Sequence, residues 1–171
     1  MRRASLLAVL AVVIGSLAFA NWPAARLPAN VVADRVLIEK RAHRLTLFRN
    51  GVPLETYHVS LGAHPVGKKE REGDGRTPEG IYRIDRHHAQ SRFHAALHVS
   101  YPNQEDVAHA RALGVRPGGD IMIHGLPNGL GWLGRLQGLH DWTAGCVAVT
   151  DPQIDEIARA VPDETVVEIK P

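Results

Sequence analysis

Residues 35–61 break into short runs that alternate apolar and polar side chains, and a period of two is a strand pattern that a helix cannot satisfy. Residues 35–40 and 43–49 are the first two runs. Asn50-Gly51 then supplies the pair of residues with positive φ that a type I′ turn demands, and residues 52–61 follow as the returning strand. The opening is therefore predicted to be a β-meander. Residues 81–84, 96–100, 121–124, 146–150 and 165–169 read as further strands. Asn103 reads as the N-cap of a helix that carries Glu105 and Asp106 in its first turn and stops near Leu113-Gly114. Asp151-Pro152 reads as an N-cap with proline at the first helical position, opening a helix through Ala160. The sum is a mostly β fold, a β-sandwich or a partly closed barrel, with two or so short helices.

Two stretches lack periodicity. Residues 62–80, rich in Gly, Lys, Glu and Pro, form a long loop, and loops of this length in compact domains commonly carry function. Residues 126–139 mix Gly and Pro with aliphatics and form a candidate lid between His124 and the segment around Cys146.

At the N-terminus, Arg2 and Arg3 precede an apolar stretch that ends in Ala18-Phe19-Ala20, the order of a secretory signal with cleavage after Ala20. The alternative is an uncleaved membrane anchor, since the stretch lies near the lower limit of about 17 residues for a span. Either reading places the remainder outside the cytoplasm, in the periplasm or cell envelope, with the membrane touched only through this segment. Residues 21–33 read as a Pro/Ala-rich linker and 34–171 as one domain, about the size that one core serves. A net charge of +2 with Lys and Arg spread along the chain makes nucleic acid an unsuitable partner, and a monomer is expected. His87-His88, His94 and His98 show no HExxH pattern, and one cysteine cannot make a multi-thiolate zinc site. No metal or other cofactor is predicted, and most of the histidines are read as surface or solvated residues.

Cys146 is the only cysteine. In an oxidising compartment it has no intramolecular partner, so it is an intermolecular link, an inert buried residue or a reactive nucleophile. A thiol becomes a strong nucleophile as thiolate, and an imidazole within reach supplies that activation. His124 is the natural partner. Both residues stand where an apolar strand meets a glycine, Gly125 after the histidine and Gly145 before the cysteine. Gly125 allows a sharp turn that leaves its carbonyl free to fix the imidazole tautomer, and Gly145 allows close approach to the thiol. Taken singly, His124 reads equally well as a satisfied core histidine and Cys146 as a small buried hydrophobe.

Taken jointly, Ile123-His124-Gly125 and Thr143-Ala144-Gly145-Cys146-Val147 resemble the signature of the YkuD-type L,D-transpeptidases, and 73–82 resembles that family's upstream loop and strand. The resemblance covers about 36–169, nearly all of the chain after the signal segment. It implies a thiol acyl transferase acting on peptidoglycan stem peptides, in which Cys146 is the nucleophile, His124 the base and then acid, and the Gly125 carbonyl the group that orients the imidazole. Backbone N–H groups around Gly145 and Cys146 would form the oxyanion hole. Thr143, Ala144, Gly145 and Trp142 are the candidate substrate-binding residues; Trp142 and Trp132 are read as either cleft wall or core. Ala144 and Ala148 stand where many members carry polar side chains. The surrounding motif is similar to the YafK-like subgroup, which points to hydrolysis, with a peptidoglycan-linked lipoprotein as a further candidate partner. The alternative class is a non-enzymatic wall-binding module with the same fold. A thiol redox or metal-sensing protein is disfavoured, because a resolving cysteine and a C-x-x-C motif are both missing.

Overall fold

The computed structural model describes residues 2–22, 27–89 and 91–171. Among these residues the strands are β1 (Arg35–Glu39), β2 (Arg44–Arg49), β3 (Val52–His58), β4 (Gly80–His88), β5 (Ala96–Val99), β6 (Met122–His124), β7 (Val147–Ala148) and β8 (Val166–Lys170). They form one sheet in the order β3-β2-β1-β8-β4-β5-β6-β7. Beyond its two outer strands the sheet curls back on itself: Ser60 bridges Ala148 and Gly62 bridges Thr143. The result is an eight-stranded curled half-barrel, the barrel alternative of the sequence reading, with no second sheet to make a sandwich among the described residues.

Alternation explains the curl's interior. Val36, Ile38, Leu45, Leu47, Ile84 and Val167 belong to one contiguous core, each of them fully or almost fully buried. Burying such a side chain contributes about 1.5–3 kcal/mol relative to leaving it in water. The β2–β3 hairpin turns on Asn50 and Gly51 at φ 51° and 78°, as the Asn-Gly pair requires. β8 closes the sequence in parallel with β1, Val36 opposite Val167 and Ile38 opposite Ile169.

Three helices flank the sheet: α1 (Arg2–Ala20), α2 (Gln104–Ala112) and α3 (Asp151–Ala160). Asn103 caps α2 in a reciprocal box, its side chain accepting the Asp106 N–H at 3.0 Å while Asp106 accepts the Asn103 N–H at 3.1 Å. Thr150, and not Asp151, is the N-cap of α3. Asp151 is drawn away to accept the Leu126 N–H at 2.8 Å, which ties α3 to the segment after β6. β4 runs to His88, well beyond the predicted 81–84, because polar Asp85, Arg86, His87 and His88 continue pairing with β5 past an irregularity and conceal the strand. The candidate lid folds as 3₁₀ turns over Gly131–Leu139, kinked at Gly134. Pro23–Arg26 of the predicted linker lie outside the described residues. Among the described residues no helix is long and apolar enough to cross a membrane.

Candidate active site

β6 and β7 run parallel, with Ile123 opposite Val147 and His124 opposite Ala148. Side chains two apart share a face, so Cys146, one residue before β7, is a diagonal neighbour of His124 on that face. Diagonal neighbours on adjacent strands lie about 7–8 Å apart, within reach of a long side chain. The sheet register thereby places the two residues on one face of neighbouring segments although they are 22 positions apart in sequence.

His124 is 2% exposed. Its Nδ1 lies 2.7 Å from the Gly125 carbonyl. A carbonyl only accepts, so the proton sits on Nδ1 and Nε2 keeps its lone pair. A Cβ on Gly125 would lie 2.8 Å from Asp151 Oδ1 and 2.9 Å from Ile154 Cγ2, so no other residue fits without displacing α3. The Phe93 ring packs 4.3 Å from the imidazole centroid and Trp142 lies edge-on at 5.7 Å. Burial pushes the His124 pKa down, and the Gly125 hydrogen bond opposes this only in part.

The Cys146 thiol donates to the Asp120 carbonyl at 3.6 Å. Burial pushes its pKa up, the Met122 backbone pulls it down, the Asp120 carboxylate pushes it up and the Lys69 ammonium pulls it down. The net shift is upward. The thiol and the imidazole are therefore both neutral at rest, and a preformed thiolate–imidazolium pair is disfavoured on both sides.

Thr143 shapes the turn that carries the cysteine. Its hydroxyl accepts the Gly145 N–H at 3.1 Å and donates to the Cys146 carbonyl at 2.7 Å. Its backbone is pinned to the strand after β3, donating to Leu61 O at 3.1 Å and accepting from Ala63 at 2.9 Å. Gly145 adopts φ +135°, and a Cβ there would meet Arg76 O at 2.7 Å. In this structure Thr143 takes up the Gly145 N–H, one of the N–H groups expected to serve an oxyanion. Ala144 is exposed beside the thiol, whereas Ala148 is fully buried and ladder-bonded to Ser60, so it cannot face a bound acceptor.

Trp142 is half-buried, donates from Nε1 to Gln137 Oε1 at 3.2 Å and walls the histidine side. Trp132 stands 57% exposed on the 3₁₀ segment, in neither the core nor the wall. That segment is tied to the β2–β3 hairpin by Ser60 Oγ donating to Gln137 O at 2.9 Å and by His58 Nε2 donating to Gly138 O at 3.2 Å. On the other side of the cysteine, the 62–79 loop presses Gly75 O and Gly145 Cα against Gly62. Buried Lys69 in this loop pairs with Asp74 at 2.7 Å. Among the described residues no group of three or more His, Cys, Asp or Glu could hold a metal.

Four contributors went unseen in the sequence. Phe93 lies in a segment with no periodicity, and Lys69 reads as one of several loop lysines. Asp120 follows Gly118-Gly119 immediately before an apolar strand, a turn signal that marked its left-handed φ of 53°. His98 is an exception to the mostly solvated histidines, 9% exposed, because β5 turns it onto the same face as Met122 and His124.

A family model for the L,D-transpeptidase catalytic domain matches residues 33–169. YafK of Escherichia coli (strain K12) is 31% identical over 110 residues, which is 63% of this chain and 37% of that protein. Among solved structures, the helical cell shape determining protein Pgp2 from Campylobacter jejuni superposes with a TM-score of 0.62 at 24% identity, covering 90% of this chain and 53% of that one. Bd1075 from Bdellovibrio bacteriovorus superposes with a TM-score of 0.55 at 25% identity, covering 85% and 53%. An L,D-transpeptidase from Mycobacterium smegmatis superposes with a TM-score of 0.54 at 14% identity, covering 81% and 59%. The chain spans little more than a third of YafK and about half of Pgp2 and Bd1075. Because the family model covers most of its length, the chain belongs to the L,D-transpeptidase catalytic domain family.

Proposed function

We propose that this domain is a cysteine acyl transferase acting on peptidoglycan stem peptides. Cys146 attacks the carbonyl of an L-residue joined to a D-residue, and His124 Nε2 takes the thiol proton. The C–N bond then breaks, the D-residue amine leaves with that proton, and the acyl group stays on sulfur as a thioester. An amine or water completes the cycle by attacking the thioester and returning the thiol. The observation that carries this reading is the tautomer lock: Gly125 fixes Nδ1–H, which leaves a buried lone pair on the face that Cys146 shares. The Cys146 N–H is the proposed oxyanion donor, and such a donor typically accounts for about 10²–10³ in turnover. Trp142 and the exposed backbone at Ala144 line the approach to sulfur.

Between acceptors, water is favoured over an amine. Positioning an amine requires side chains that bind it, and correct placement supplies effective molarities of up to about 10⁵–10⁸ M. Ala144 offers a methyl group and Ala148 is inaccessible, so hydrolysis is the proposed main outcome, with a peptidoglycan-linked lipoprotein as a candidate substrate. Residues 1–20 are proposed as the export signal and 21–33 as a linker, placing the domain in the periplasm or cell envelope. Incubation with purified muropeptides, read by mass spectrometry, tests the choice. Predominant hydrolysis is expected, and a majority of directly linked 3→3 dimers refutes the preference for water. Exposure to a carbapenem tests the mechanism itself, since an acylating thiol gains the mass of the opened ring and a wall-binding module does not.

A further inference from the structure

Acyl transfer at Cys146 and His124 leaves unused a cavity of about 790 Å³, lined by the two segments that abut the cysteine turn. That volume is in the range of about 300–1,000 Å³ usual for small-molecule sites. One wall is the 62–79 loop. There Ala63 donates its N–H to Thr143 O at 2.9 Å, and Arg76 O lies 2.7 Å from the place a Cβ on Gly145 would take. The other wall carries Leu113 and Val115, in the segment that runs on to Asp120, whose carbonyl takes the thiol hydrogen. The Glu72 N–H joins the walls by donating to Arg116 O at 2.8 Å. Both walls thus run to Cys146, so a substrate held at the sulfur has this cavity beside it.

The lining combines apolar surface with one uncommitted cation. Val66 and Leu113 stand 84% and 52% exposed along it. Of its carboxylates, Glu70 is taken by Arg76 at 3.1 Å and Asp74 by Lys69 at 2.7 Å. Among the described residues the Arg71 guanidinium enters no ion pair, yet the Arg71 backbone is gripped on both sides. Its N–H donates to Asp74 Oδ2 at 3.1 Å, and its carbonyl accepts from Lys69 Nζ at 3.0 Å. The Lys69 and Asp74 side chains are only 3% and 8% exposed. Taking such a pair out of water is costly, and here the pair fixes the backbone that presents an exposed guanidinium to the cavity. A guanidinium matches a carboxylate in charge and in shape, and the apolar wall matches an aliphatic spacer. We propose that this cavity is a subsite for a stem-peptide side chain that is aliphatic and ends in a carboxylate, with Arg71 as the residue that selects it. The D-residue's own carboxylate has no such spacer and leaves Val66 and Leu113 uncovered. The assignment rests on the domain acting on stem peptides.

Two stem tetrapeptides serve as probes, one with diaminopimelate and one with lysine as the L-residue, since these side chains differ only in a terminal carboxylate. Binding is measured by calorimetry on the full chain carrying Cys146→Ala, which cannot turn the peptides over, with and without Arg71→Gln. The diaminopimelate peptide is expected to bind about tenfold to a hundredfold more tightly than the lysine peptide, the range for a hydrogen bond to a charged group. Arg71→Gln should remove that difference while leaving the lysine peptide within about threefold, and Arg71→Lys should restore part of it. Equal affinity for the two peptides overturns the proposal, as does undetectable binding of the diaminopimelate peptide. An equal weakening of both by Arg71→Gln also overturns it, because that marks a merely structural role. A third probe, the diaminopimelate peptide with the D-residue carboxylate amidated, separates the two sources of a carboxylate. The Arg71→Gln loss should persist with it, and its disappearance overturns the proposal by assigning Arg71 to the D-residue. Thioester formation on the protein with Cys146 intact is a separate readout: its absence sinks the acyl-transfer reading, while the binding comparison stands or falls independently.

Discussion

Replacing Thr143 with valine keeps the shape of the side chain and removes its hydroxyl, so the effect can be worked from two bonds. The Gly145 N–H loses its acceptor at 3.1 Å and the Cys146 carbonyl loses its donor at 2.7 Å. A buried polar group left without a partner costs about 1–3 kcal/mol. Thr143 is 5% exposed and Gly145 is buried, so water does not replace the first bond, while the second is partly open to it. The sum is about 2–4 kcal/mol. With a urea slope of about 1–3 kcal/mol per molar for a domain of this size, the midpoint should fall by about 1–2 M. Thr143→Ser retains both bonds and loses one methyl group, about 1 kcal/mol. Urea unfolding followed by tryptophan fluorescence measures stability, and the rate of carbapenem adduct formation in native buffer measures the turn. The valine variant should acylate at least about tenfold more slowly because the released turn no longer fixes the Cys146 N–H, as oxyanion donors account for that much or more. The serine variant should stay within about threefold. A valine variant as stable as the parent, with undiminished acylation, refutes the claim that this hydroxyl builds the site.

Cys146→Ala should fold normally and lose all turnover on a stem tetrapeptide; residual turnover places the chemistry elsewhere. His124→Gln should abolish acylation by a carbapenem while leaving the urea midpoint within about 1 M, and acylation at the parent rate would remove His124 from the mechanism. Burial lowers the His124 pKa, so the base stays unprotonated, and active, down to a pH below its ordinary 6.5; the acid limb of the acylation profile should have its midpoint under 6.5, and a midpoint above that value refutes the assignment. Burial raises the Asp74 carboxyl, but the Lys69 hydrogen bond and the N–H groups of Glu70, Arg71 and Arg76 outweigh it and hold the pKa at about 2. That stabilisation is present above the ordinary 3.8 and is lost as pH falls toward 2. Asp74→Asn leaves the buried Lys69 ammonium without its counter-charge and should cost about 3 kcal/mol in thermal or urea unfolding at neutral pH; an unchanged midpoint shows that the pair is not a support of the loop.

Strand alternation, the Asn50-Gly51 turn and the Asn103 cap were legible because each is a local choice with a local cause. The same locality explains the failures. Asp151 has the chemistry of an N-cap, but Leu126, 25 residues away, claims its carboxylate, and Thr150 takes the role. His98 looks like any polar residue in a short strand until β6 covers its face. The His124–Gly125 lock was legible since donor and acceptor are neighbours in sequence. The thiol's bond to the Asp120 carbonyl was not, because it depends on a turn remote from the cysteine in sequence. The bond from the Gly145 N–H to Thr143 was not legible for a related reason: its acceptor is only two residues away, yet the rotamer that brings Thr143 Oγ1 to it depends on the Cys146 carbonyl.

The bridges from Ser60 to Ala148 and from Gly62 to Thr143 join parts of the chain more than 80 residues apart, and they lie immediately on either side of the cysteine. Thiol reactivity therefore belongs to a seam. Contacts this distant in sequence carry a large loop-closure entropy and form late in folding. A chain whose meander and helices are already in place but whose seam is open would show near-complete secondary structure with an unactivated cysteine. Refolding followed in parallel by far-ultraviolet circular dichroism and by carbapenem capture should thus separate into two phases, the second reporting closure of the barrel edge. An enzyme built this way has no acylation chemistry until its fold is finished.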